Sequence, residues 1–231
     1  MLVAARTGAW SGKALPYDAE LPWIESTAKQ VIDTGYTVAA DTVVEFEADL
    51  LVSEYPSFFN YWISADISTS DTSASFAFQI AYRANYQYFA RAFMYGVITN
   101  IPSPPPSGFS TVRVSKDALT INGVDYQLNE STFKGGAATL AIFGRHTLGS
   151  YAFNNSRMRL KRLRIVGAHD FVPVLVSGVG CLYDKRGFGG MNADGSARDD
   201  GLYFDRRGIE PFIIPQAASG AFSTGRVVGV Y

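Results

Sequence analysis

Apolar and polar residues alternate with a period of two through most of this chain. The clearest case is residues 42–50, TVVEFEADL. Val44, Phe46, Ala48 and Leu50 fall on one side, and Val43, Glu45, Glu47 and Asp49 on the other. This is the pattern of an antiparallel strand with one wet face. Phe59 to Ala65 and Ser75 to Arg83 read the same way, with Phe76, Phe78, Ile80 and Tyr82 sharing a face. Tyr86 to Val97 is apolar on both sides and predicts one central strand. Further strands are expected over Thr111–Ser115, Thr139–Phe143, Arg157–Val166, Asp170–Leu175 and Cys181–Asp184. No segment carries a helical apolar stripe of three turns.

The punctuation between these runs is that of a β protein. Asn122-Gly123 suits the two positive φ angles of a type I′ hairpin turn. IPSPPPSG, residues 101–108, holds four prolines without the amide hydrogens a ladder needs, so it reads as a loop. LPWIESTAKQVIDTGY, residues 21–36, predicts a tight strand–turn–strand around Thr27-Ala28-Lys29. A short echo links Leu182 to Phe188 (LYDKRGF) with Leu202 to Ile209 (LYFDRRGI), and reads as two similar strand-to-turn exits. Many short strands with turns between them predict a sandwich or barrel.

Composition narrows the picture. The 231 residues are 47% hydrophobic and 14% aromatic, enough for a sizeable core. Charged residues make up 18% and nearly cancel, with a formal net charge of -1. Neither a basic excess for nucleic acid nor a polybasic block for an anionic membrane is present. No apolar run reaches the ~18 residues of a membrane span. The single cysteine, Cys181, excludes an intrachain disulfide and reads as a buried thiol in an apolar strand. The start of the chain lacks the apolar run of a signal peptide.

Candidate chemistry is sparse. Glu45, Glu47 and Asp49 alternate on one strand face, where a sandwich glycosidase could hold its acid and its nucleophile; the plainer reading is a solvated face. His146 and His169 have no nucleophile turn beside them and read as loop or core histidines. Aromatic residues interleaved with amides and cations could hold a sugar, whose ring face is apolar and whose hydroxyls are not. Tyr86, Tyr88 and Arg91, together with Asn60 and Trp62, form that candidate surface; the plainer reading of both stretches is core packing and contact between the sheets. Asn192, Asp194, Asp199 and Asp200 gather oxygen ligands that suit calcium, with Arg198 among them; the plainer reading is a solvated acidic turn with no cofactor. Asp170 is expected to pair with Arg162 or Arg164.

Several pieces in order resemble the concanavalin A-like, laminin-G-like jelly-roll domains of bacterial surface and phage structural proteins. They are Ile24-Glu25-Ser26-Thr27 with Gln30 to Gly35, LTINGV from Leu119, Ala141 to Arg145, Met158 to Ile165, and DFVPV from Asp170 followed by GCLYDK from Gly180. The resemblance implies an all-β fold, a concanavalin A-like jelly-roll sandwich of two antiparallel sheets. It implies a domain over residues 21–190, with an N-terminal arm over 1–20. Residues 191–231 form a C-terminal extension packing on the sandwich or on a neighbour. The apolar Pro211 to Pro215 stretch is expected to be covered by another subunit or a larger particle. The implied function is a non-catalytic recognition or assembly module, glycan-binding or adhesive, or a virion component. The alternative is a glucanase-like hydrolase using the Glu45–Asp49 strand. Partners would be a glycan or other subunits of a homo-oligomer or larger assembly. The setting would be a virion, the extracellular space or a cell surface.

Overall fold

The computed structural model describes residues 15–49, 51, 59–65, 75–83, 87–101, 108–133, 136, 138–147, 150–152, 157–187, 189–206 and 210–215. Within these, only the backbone is described for 59–61, 80–83, 87–89, 147 and 152. The strands in chain order are β1 Ala19–Glu20, β2 Ile24–Glu25, β3 Ile32–Thr37, β4 Val44–Asp49, β5 Phe59–Ala65, β6 Phe76–Arg83, β7 Gln87–Met94, β8 Val97–Asn100 and β9 Phe109–Val114. They continue with β10 Ala118–Ile121, β11 Val124–Gln127, β12 Thr139–Ile142, β13 Arg145–Thr147, β14 Ser150–Ala152, β15 Arg159–Ile165, β16 His169–Val176, β17 Val179–Asp184 and β18 Leu202–Tyr203. No helix occurs among the described residues, so none there is long and apolar enough to cross a membrane.

The fold is the expected all-β sandwich. Its large sheet runs β11-β10-β9-β4-β15-β16-β17-β18, with β1 on β16 and β2 on β15. Its second sheet runs β3-β12-β5-β6-β7-β8, and β13-β14 is a separate hairpin. All strand pairs are antiparallel. Alternation fixes what faces inward. Val44, Phe46 and Ala48 of β4, Val112 and Val114 of β9, and Leu160, Leu163 and Ile165 of β15 form one wall of the core. Phe76, Phe78, Ala90, Ala92, Leu140 and Ile142 form the other. Phe46 and Phe78 meet across the gap, ring centroids 5.8 Å apart.

Two strand expectations are corrected. The described part of the Tyr86–Val97 run, from Gln87, belongs to a hairpin, because Tyr95 and Gly96 take positive φ angles of 48° and 87° and turn the chain between β7 and β8. The opening segment is no hairpin: β2 joins the large sheet on β15, and β3 joins the second sheet on β12. The turn at Thr27-Ala28-Lys29 carries the chain from one sheet to the other, with Ala28 at φ 70°. Gln30 braces it by accepting the Thr27 N–H at 2.7 Å. The Asn122-Gly123 turn has φ angles of 50° and 80° and pairs Ile121 with Val124, as a type I′ hairpin requires.

Near the end of the described chain, β18 pairs with β17 as the last strand of the large sheet. Phe212 is buried against Phe143 at 5.1 Å, and Ile213 pairs its backbone with Glu25. The expected cover by another subunit is therefore corrected for Phe212, which lies in the chain's own core, while Ile213 is 41% exposed. Residues 1–14, 102–107 and 216–231 lie outside the described residues.

A second, smaller apolar cluster lies on the large sheet. Val172, Val174, Cys181 and Leu202 are buried, with Tyr17, Val176, Tyr183 and Phe204 packed around them. This cluster covers the sheet along β16 and β17. The strands β9, β4 and β15 keep solvent-facing polar positions, and there the candidate site lies.

Candidate functional site

Three neighbouring strands place the site. In β4 the inward residues are buried and Glu45, Glu47 and Asp49 are half-buried on the opposite face. The register sets Glu45 between Arg113 of β9 and Arg164 of β15, and Glu47 between Thr111 and Arg162. Cross-strand partners on one face lie within about 5.5 Å at Cβ, so these charges pair. Arg113 Nε donates to Glu45 Oε1 at 3.2 Å, and Arg164 Nη1 to Glu45 Oε2 at 3.2 Å. Lys161 Nζ donates to Glu47 Oε1 at 2.7 Å. Arg159 reaches Asp49 at 3.7 Å and donates through Nε to Glu25 at 2.7 Å.

Lys161 owes its position to a β-bulge. Leu160 pairs with Ala48 and Arg162 with Glu47, so Lys161 is an extra residue in β15. Neither Lys161 nor Arg162 is buried, whereas Leu160 and Leu163 on either side of them are. The bulge puts two consecutive cations beside Glu47. Lys161 Nζ also lies 3.9 Å from the ring centroid of Phe109, which is 37% exposed. Arg162 makes a bidentate pair with Asp170, at 2.8 and 2.6 Å. The Arg162 hydrogen bonds outweigh burial and hold the Asp170 carboxyl below the usual carboxylate range. A groove of about 290 Å³ runs over this face, lined by Glu45, Glu47, Thr111, Arg113, Arg162 and Arg164 among others.

The candidate sugar surface is not assembled among the described side chains. Trp62 is 1% exposed and stacks at 5.3 Å on Phe78 in the core, so it offers no face to a ligand. It is the extra residue of a bulge in β5, between Tyr61 and Ile63, which the alternation did not reveal. Arg91 lies on β7 and donates to Asn100 at 2.9 Å. Tyr86 lies outside the described residues, and the side chains of Asn60 and Tyr88 do too.

In the acidic loop, Arg198 takes up the oxygens offered to a cation. It donates to Asn192 Oδ1 at 2.6 Å and to both oxygens of Asp200. Asp194 caps its own turn through the Ser196 N–H and hydroxyl, at 2.8 and 2.7 Å, and Asp199 is exposed. Among the described residues no three His, Cys, Asp or Glu side chains converge as metal ligands.

The histidines are structural partners of buried carboxyl or carbonyl groups. His146 Nδ1 donates to the Thr139 carbonyl at 2.7 Å, and its ring stacks on Tyr151 at 4.3 Å. Burial and the hydrogen bond to Asp33 push the Tyr151 hydroxyl up to about 12. His169 Nδ1 donates at 2.8 Å to Asp184, which has no exposure. Burial pushes the Cys181 thiol up to about 12, so it is a buried apolar side chain at neutral pH.

No protein family and no curated protein matches the chain. Solved structures do. An enzymatically active domain of tailspike protein 2 from bacteriophage CBA120 superposes with a TM-score of 0.41 at 12% identity, over 74% of this chain and 30% of that one. A pseudo β-1,3-glucanase and immunostimulatory antigen of Mycobacterium tuberculosis gives 0.34 at 9% identity, over 60% of this chain and 69% of that one. A β-glucanase-type protein of Mycobacterium abscessus gives 0.29 at 10% identity, over 56% and 66%. The chain thus spans less than a third of the tailspike structure's length. The expectation of a non-catalytic chain is withdrawn: one of these structures is named as an enzymatically active domain and another as a pseudo-glucanase. The physical reason is that hydrolysis on a sandwich face needs only two suitably spaced carboxylates, and Glu45 and Glu47 line one groove here.

Proposed function

We propose that this chain engages a polysaccharide on the outer face of its large sheet, in the groove over β9, β4 and β15. The observation that carries this reading is the placement of Glu45, Glu47, Arg113, Arg162 and Arg164 along one groove, on three neighbouring paired strands. Sugar hydroxyls both donate and accept, so carboxylates and guanidiniums side by side satisfy them. Ion pairs fix these side chains before any ligand arrives, which lowers the ordering cost of binding. Phe109 at the margin adds apolar surface for a sugar ring. An extracellular or virion setting suits such a ligand.

Cleavage at the same face is the second reading. Glu45 and Glu47 stand two residues apart on one strand face, about 6.6 Å at the backbone, and hydrolysis would need their carboxyl groups about 5–9.5 Å apart. One experiment separates the readings. The full chain is tested against a polysaccharide panel for retention and for release of reducing ends. Retention without release, weakened by Arg162→Ala, supports recognition. Release that Glu47→Gln abolishes in a folded protein supports hydrolysis. Neither retention nor release across the panel would sink the proposal.

A further inference from the structure

The cations of the groove are not equally engaged. Arg162 holds a carboxylate of its own, Asp170, through two bonds of 2.8 and 2.6 Å. Lys161 is paired with Glu47 at 2.7 Å. Arg113 and Arg164 differ. Both address the same carboxylate, Glu45, and each does so through one bond of 3.2 Å. A guanidinium has five N–H donors. Two guanidiniums therefore bracket one carboxylate with most donors directed elsewhere, and both side chains are close to half exposed, 48% for Arg113 and 44% for Arg164. The bracket holds one more positive charge than negative, on the rim of a groove large enough for a sugar unit.

Resting on the polysaccharide reading, we propose that the ligand is an acidic polysaccharide, whose carboxylate or sulfate groups are held by Arg113 and Arg164. Planar guanidiniums match both anions in geometry and charge. Glu45 sets the selectivity. It orients both arginines and competes with the incoming anion for them. Its two functions have opposite signs, which a merely structural residue would not show.

The test measures affinity of the full chain for polygalacturonate, dextran sulfate and neutral dextran at low and high salt. The wild type is expected to prefer one or both acidic polymers, and salt to weaken that preference. Losing a charge-assisted contact is expected to weaken acidic binding by about tenfold in each of Arg113→Gln and Arg164→Gln, and to weaken neutral binding by less. Glu45→Gln is expected to strengthen acidic binding. Unaltered melting temperatures confirm that the variants are folded. Preference for polygalacturonate identifies a carboxylate ligand, and preference for dextran sulfate a sulfate ester. Neutral dextran bound as tightly as the acidic polymers, or acidic binding unmoved in the two arginine variants, overturns this inference alone. Retention of none of the three overturns it together with the polysaccharide reading.

Discussion

Asp184 ends β17 with a fully buried carboxylate, and removing it is expected to be among the most damaging single changes in this chain. Its Oδ1 accepts the Asp170 N–H and the Arg186 N–H, both at 3.0 Å, while Oδ2 accepts His169 Nδ1 at 2.8 Å. Asp184→Ala strands all three donors. Arg186 sits in an exposed turn and rehydrates. Asp170 and His169 are partly buried and recover less. At about 1–3 kcal/mol for each poorly rehydrated donor, the expected loss is about 3–4 kcal/mol. Asp184→Asn keeps an oxygen for both backbone donors and loses the charge, so about 1–2 kcal/mol is expected. The assay is urea unfolding followed by fluorescence of Trp62, which is 1% exposed in the core. With a slope near ~2 kcal/mol per molar for a chain of this size, the alanine variant's midpoint falls by about 1.5–2 M.

The pH dependence gives a second check. Burial alone would raise the Asp184 pKa, but the His169 and backbone hydrogen bonds outweigh it and hold it below the usual carboxylate value. A lowered folded-state pKa contributes stability above the unfolded value, near ~3.9, and loses it as pH falls through the folded value. The gap between wild type and Asp184→Asn is therefore full at pH 7 and closes in acid below about pH 4. An alanine variant within about 1 kcal/mol of wild type, or a gap that stays constant into acid, would refute this account.

Other outcomes follow from the same structure. Glu25 is 1% exposed and paired with Arg157 and Arg159, so Glu25→Ala is expected to cost about 2–4 kcal/mol, read as a shift in the urea midpoint. Gly123→Ala meets nothing within 4 Å, so its penalty is the positive φ alone, about 1 kcal/mol, seen as a melting-temperature drop that Gly123→Asn partly avoids. Cys181 has no exposure, so the native protein is expected to resist a thiol reagent until denaturant is added; fast native labelling would contradict its placement.

What the sequence disclosed depended on whether the information was local. The alternation in β4 and the Asn122-Gly123 turn are decided within a few residues, and both were legible. Tyr95-Gly96 carries a turn signal of the same kind, masked by apolar residues on both sides that favoured one unbroken strand. The carboxylates of the candidate site were legible as one face of β4. Their cations were not, since nothing local says that β9 and β15 flank β4. Trp62 was misplaced because a bulge in β5 turns it into the core. Arg198 stood in view within the acidic loop, but only the folded turn shows it bonded to both Asn192 and Asp200.

The extra residue in β15 also bears on how such a surface can change over time. In a regular strand, adding or removing one position inverts every side chain beyond it, and the core would be lost. Between Leu160 and Leu163 the chain passes through Lys161 and Arg162, and both leucines remain wholly enclosed. The surplus is absorbed as a local bend. A single-codon deletion at this point can therefore alter the number of charges on this face while leaving the interior in register, giving the face a route of variation separate from that of the scaffold beneath it.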